Sequence, residues 1–243
     1  MAKSECLGGD KSVGKSVRRT VGVIFVIVVA ASISGPVQGQ SPDDGLRIYA
    51  VNVVKTTPFR KPFIGYGIYL GKGAVITAAH VIGRWGFLKN LHVLINGQNL
   101  PAKIIKEGSS EQDLTLLSVD EARLPVSLRL RRNPLCKQPP SVGENVIVVV
   151  PEKTARTQIV SPLLIVPQLR GRFNTLIGDL VASSGSGVFN ADRRCLMGIV
   201  SSKVEKYDYR NEGGRIIAEP AGFAGYFVSA SQIADFIPVE FRF

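Results

Sequence analysis

The sequence predicts an all-β protein of two six-stranded antiparallel β-barrels followed by a short C-terminal helix. Three observations predict it. Short runs rich in β-branched or alternating apolar residues recur from residue 48 onward. Glycine (25) and proline (14) punctuate them at short intervals, as turns between strands require. The runs also fall into two series, separated by a polar, proline-rich stretch.

The first series comprises expected strands at 48–55, 65–70, 74–77, 91–95, 102–107 and 114–119. Pro58, Gly71, Gly73, Asn96-Gly97 and Gly108-Ser109 separate them, and Asn96-Gly97 is a strong hairpin signal. The second series is expected at 145–150, 158–166, 175–180, 187–190, 196–202, 215–217 and 226–228. The single predicted helix runs from Ser229 to Phe236. Ser229 or Ser231 caps it, and Ile233 and Phe236 form its buried face. The expected organisation is a leader over 1–39, a first barrel over 40–128, a linker over 129–143 containing Pro134, Pro139 and Pro140, and a second barrel with the helix over 144–243.

The leader reads as an export signal. A polar segment ends in Arg18-Arg19, an uncharged apolar run spans 21–34, and Val37-Gln38-Gly39 supplies small residues where a signal peptidase cuts. The run is short for a membrane span, which needs about 20 apolar residues. Cleavage after Gly39 is therefore expected, giving a periplasmic or secreted protein; an uncleaved run over 21–34 would instead anchor it to the membrane. Cysteine usage agrees with export. Cys6 leaves with the leader and Cys136 and Cys195 remain. An oxidising compartment favours a disulfide between these two, the alternative being two separate buried thiols.

The net charge is +11, of which residues 1–39 contribute +3. The basic residues are scattered, with no aromatic-interleaved stripe and no nucleic-acid-binding motif. There is no CxxC and no His/Cys cluster, so neither a metal site nor a cofactor is expected.

Chemistry concentrates in three segments. A serine hydroxyl needs a base within reach, and the base needs a third group to fix its tautomer. Only His80 and His92 are available as bases. His80 ends the segment Thr77-Ala78-Ala79-His80, where small residues leave room for an imidazole at a strand end. His92 alternates with Leu91 and Val93, which puts it on a solvated strand face. Asp113 directly precedes the apolar run Leu114-Thr115-Leu116-Leu117. Ser184 lies in Ala182-Ser183-Ser184-Gly185-Ser186-Gly187, where small residues permit a tight turn and the N–H groups of Ala182 and Ser184 can converge on one oxyanion.

The chain order His80, Asp113, Ser184 matches neither subtilisin nor the α/β-hydrolases. Thr77-Ala78-Ala79-His80 resembles the TAAH motif of trypsin-like (chymotrypsin-fold) serine peptidases. Asp113-Leu114-Thr115-Leu116-Leu117 resembles their orienting-acid segment, and Ser183 to Phe189 resembles their nucleophile loop in its bacterial SGSGVF form. Gly198-Ile199-Val200-Ser201 resembles the strand beside the specificity pocket, and Gly225-Tyr226-Phe227-Val228 the closing strand.

The resemblance covers residues 45–237. It implies a serine endopeptidase acting on protein or peptide, with Ser184 as nucleophile, His80 as base and Asp113 as orienter. Ser201 would support Asp113, and Asp179, Val200, Ser201 and Ser202 would border the specificity pocket. Ala182 stands where the family has glycine, so the alternative is a catalytically weak or inactive relative serving as a binding module. Ser183 replaces the aspartate that pairs with a clipped N-terminus, so activation by clipping is not expected. Ser186 is a competing nucleophile, but placing it there shifts Val188-Phe189 out of register.

Overall fold

Alternating apolar residues give each strand one face to bury, and in this chain the buried faces close two sheets on themselves. The computed structural model describes residues 41–57, 61–83, 90–178 and 183–241. The expected leader, Asp179 and Ala182 lie outside the described residues. No described helix is long and apolar enough to cross a membrane.

The first barrel contains β1 (Ala50–Thr56), β2 (Phe63–Gly71), β3 (Ala74–Ala78), β4 (Asn90–Ile95), β5 (Gln98–Glu107) and β6 (Leu114–Val119). Its order is β1-β2-β3-β6-β5-β4, and β4 closes it by pairing with β1. The second contains β7 (Asn145–Val149), β8 (Thr154–Val160), β9 (Leu176–Ile177), β10 (Gly187–Asn190), β11 (Leu196–Glu212) and β12 (Arg215–Ser229). Its order is β10-β11-β12-β9-β8-β7, closed by β7 against β10. Closure leaves no free edge within either barrel wall. Ile68, Ile76 and Leu116 of the first barrel share one core with Ile147, Phe189 and Ile199 of the second. Burying each such side chain is worth about 1.5–3 kcal/mol relative to exposure, so this shared core welds the barrels and fixes the cleft between them.

Asn96 and Gly97 form the expected hairpin turn. Both have positive φ (48° and 77°), and Ile95 faces Gln98 across it. The helix α3 (Ala230–Phe236) follows β12, with Ser229 and Gln232 forming a capping box and Ile233 and Phe236 buried. Two single-turn helices, α1 (Ala79–Ile82) and α2 (Val126–Arg129), were not expected. Cys136 and Cys195 are bonded, with Cα atoms 5.1 Å apart, which removes the alternative of separate thiols.

Three strand expectations need correction. Residues Pro42–Tyr49 form a 3-10 helix, so β1 starts at Ala50 and not at Ile48. Ser41 caps that helix, and its buried Asp43 is gripped by Arg156 and Arg194, which stops the segment from extending as strand. β8 covers Thr154–Val160, ahead of the expected 158–166, because Pro162 and Pro167 each start a 3-10 turn and cannot donate to a ladder. The expected strands at 196–202, 215–217 and 226–228 are parts of one long hairpin, β11 and β12. Its outer half is exposed on both faces, so its apolar residues do not alternate and the pattern reveals only the short run at 215–217.

Candidate active site

His80 lies in α1, two residues past the end of β3. Asp113 locks it there through both backbone and side chain. The Asp113 carbonyl accepts from Ala79 N (3.1 Å), and its Oδ1 accepts from His80 N (3.0 Å). This double grip requires Asp113 in the left-handed region, at φ 46°, a conformation that aspartate tolerates better than most residues. Nδ1 of His80 then lies 3.0 Å from Oδ1 and 2.9 Å from Oδ2 of Asp113. An ionised carboxylate places the proton on Nδ1 and leaves Nε2 as the free acceptor.

The second barrel supplies a further donor to the same carboxylate: Ser201 Oγ donates to Asp113 Oδ2 at 2.5 Å. The imidazole side chain is 50% exposed, whereas the carboxylate beneath it is 16% exposed. Burial pushes the Asp113 carboxyl upward, but the His80 ring, Ser201 and the His80 backbone N–H together hold it below its ordinary value. The hydrogen bond to Asp113 raises the His80 pKa above its usual 6.5, against the opposing effect of burial.

The loop 183–187 is fixed from both sides. Gly185 N donates to Val200 O (2.8 Å) and Val200 N donates to Ser186 O (2.9 Å). Gly185 has φ +90°, and a Cβ on it would sit 1.9 Å from the carbonyl oxygen of Tyr66. Only glycine fits there. Ser186 is fully buried, and its hydroxyl donates to Ser183 O at 2.6 Å. Ser184 presents its hydroxyl in the cleft, where it donates to the carbonyl of Ser201 at 3.0 Å. Among the described residues no hydrogen bond joins Ser184 to His80.

Ser201 is therefore the hinge of the arrangement: its hydroxyl holds Asp113 and its carbonyl holds Ser184. Val200 is buried in the second-barrel core and reaches the loop only through its backbone. Ser202 lines a cavity of about 270 Å³ together with His80, Ser110, Arg172, Phe173 and Tyr226. Phe173 and Tyr226 pack edge to face there, with centroids 4.9 Å apart. The sequence reading missed Ser110, Arg172 and Phe173, since they lie between strands and carry no motif. Tyr226 was legible only as part of the closing strand Gly225-Tyr226-Phe227-Val228, whereas Ser202 beside it was already expected at the pocket. His92 sits in β4 opposite Val54 and Pro101; it is half-buried, and its Nδ1 is enclosed without a hydrogen-bond partner among the described residues.

No protein-family model matches the chain, and no curated protein matches it. Solved structures do. The active form of the Rv3671c protease from M. tuberculosis superposes with a TM-score of 0.53 at 16% identity, over 91% of this chain and 92% of that one. An inactive form of a mutant of Rv3671c gives 0.53 at 15% identity, over 83% and 92%. Kallikrein-related peptidase 10, in complex with Zn2+, gives 0.53 at 16% identity, over 82% and 96%. At these identities the likeness is one of fold: the chain shares the fold of the Rv3671c protease and of kallikrein-related peptidase 10.

Proposed function

We propose that the protein is an exported serine endopeptidase that hydrolyses peptide bonds through Ser184, His80 and Asp113. The observation that carries this reading is the Asp113 carboxylate, bonded at once to the His80 ring and to Ser201, beside a serine hydroxyl in the same cleft. In the reaction the Ser184 hydroxyl leaves the Ser201 carbonyl and turns to His80 Nε2. Its oxygen attacks the substrate carbonyl while Nε2 takes its proton. The N–H groups of Ala182 and Ser184 receive the oxyanion. The tetrahedral intermediate expels the amine, which takes the proton from His80. Water, deprotonated by His80, then releases the acid and restores Ser184. Asp179, Ser201 and Ser202 border the pocket for the substrate side chain, and Val200, expected beside them, packs behind it in the barrel core. The leader over 1–39 directs the chain to the periplasm or the exterior, residues 40–128 and 144–243 form the two halves of the enzyme, and 129–143 links them.

The Ser184 hydroxyl resting on Ser201 O favours a second reading, a trypsin-like binding module with little or no activity. A fluorophosphonate probe separates the two. Residues 40–243 are treated with it and any adduct is located by mass spectrometry. Labelling at Ser184 that disappears in Ser184→Ala and His80→Ala is expected. A folded protein that takes no label sinks the peptidase reading in favour of the module.

A further inference from the structure

Ser201 and Ser202 are neighbours in β11, and in a regular strand their side chains would point to opposite faces of the sheet. Here their hydroxyl oxygens lie 3.1 Å apart. The cause is a bulge. Val200 pairs with Phe227 and Ser202 with Tyr226, so β11 advances by two residues where β12 advances by one, and Ser201 is the extra residue. Such an insertion re-aims the side chains around it. It leaves Ser201 buried against Asp113, and Ser202 half-buried at the wall of the cavity beside His80.

A hydroxyl has a single proton, and this sets the direction of each bond in the group. The Asp113 carboxyl, held below its ordinary value, is ionised at neutral pH and can only accept. The Ser201 proton is therefore spent on Asp113 Oδ2. The contact between the two serines must then be a donation from Ser202 to Ser201, and among the described residues the Ser202 hydroxyl has no other partner. The protons run in one sense, from Ser202 to Ser201 to Asp113, with the His80 ring bonded to the same carboxylate. A hydroxyl that accepts a hydrogen bond donates its own more strongly, so the outer serine strengthens the inner bond.

We propose that Ser202 is a positioning residue of the candidate active site: by donating to Ser201 Oγ it directs the one Ser201 proton onto Asp113 and strengthens that bond. Its bearing on rate rests on the peptidase reading, whereas the chain of hydrogen bonds does not. The sign of its effect separates this role from simple support of the fold or the pocket wall. A carboxylate with a weaker donor at Oδ2 attracts the imidazole proton more strongly, so loss of the Ser202 hydroxyl raises the His80 pKa further, where loss of the carboxylate lowers it. Glu107 at the end of β5, Glu111, Arg172 ahead of β9 and Tyr226 of β12 also border His80, and all four stay unchanged in the test.

The test is a titration of His80. The full chain, carrying isotope-labelled histidine, is titrated by NMR, and the His80 signal is identified by its loss in His80→Ala. Ser202→Ala should raise the His80 pKa by about 0.2–0.6 pH unit. Ser202→Thr keeps the hydroxyl and should restore the original value. Ser201→Ala should raise it at least as far, and adding Ser202→Ala to that variant should change nothing more, because Ser202 acts only through Ser201. An unmoved His80 in Ser202→Ala, a threonine that fails to restore it, or a full further shift in the double variant overturns the proposal. With peptide turnover, the acid limb of kcat/KM should move to higher pH by the same amount in Ser202→Ala. The expected His80 shifts in a protein whose Ser184 takes no fluorophosphonate retire the peptidase reading and leave the Ser202 chain standing.

Discussion

Asp113 carries the most constraint of any single residue in the cleft. Its backbone holds Ala79, and its carboxylate holds His80 and Ser201. That carboxylate raises the His80 pKa, and a general base works only when neutral, so on the peptidase reading activity should rise with pH through a value above 6.5. Asp113→Asn removes the main cause of the raised value. The acid limb of the kcat/KM profile should move to lower pH, and kcat should fall by about 10⁴-fold, as loss of an orienting carboxylate does. A limb that stays in place in the variant would mean that another group titrates. Gly185→Ala should fail for a different reason: the new Cβ meets Tyr66 O in a left-handed backbone. A loss of well over about 1 kcal/mol in denaturant unfolding is expected, together with loss of any Ser184 labelling.

The sequence made these residues legible through small neighbours: Ala78-Ala79 before His80, and the serines and glycines around Ser184. The bond between Ser184 and Ser201 was not legible, because a hydroxyl has several partners in reach and the sequence does not rank them.

At the scale of elements, strands with an apolar run or an apolar alternation were readable, and those with neither were not. β6 has four buried residues at its start and stood out at once. The outer parts of β11 and β12 gain their order from pairing with each other over solvent, so their letters carry no apolar period. Prolines explain the displaced β8, whose expected extension past Val160 meets Pro162. The helix α3 was legible because its cap and its buried face coincide. Ser229→Ala removes the hydroxyl half of the capping box and should cost about 1 kcal/mol by chemical denaturation. No measurable change would show that packing of Ile233 and Phe236 holds the helix alone.

For the whole molecule, the barrels depend on a few long-range ties. Cys136 and Cys195 lie 59 residues apart, and their bond restrains the unfolded chain between them. Cys136→Ser with Cys195→Ser should lower stability by about 2–5 kcal/mol without changing the fold, measured by thermal melting against the oxidised protein. Asp43 is 4% exposed and sits between Arg156 and Arg194. The hydrogen bond from Arg156, joined by Arg194, holds its carboxyl below the ordinary value despite burial. The stability it contributes is present above the unfolded carboxyl's pKa, near 3.9, and is lost as pH falls through the folded value. Asp43→Asn should therefore flatten the acid limb of the stability curve, and an unchanged acid limb would show that other carboxylates govern it.

The shared core of the two barrels has a temporal consequence. Any chain made from its N-terminus presents His80 and Asp113 long before Ser184 and Ser201 leave the ribosome. β7 cannot close the second barrel until β10 emerges, and Lys106 of the first barrel waits still longer for its acceptor, the Phe236 carbonyl at the end of α3. On the peptidase reading, a half-emerged chain holds the base and its orienting carboxylate but lacks the nucleophile, and so cleaves nothing near it.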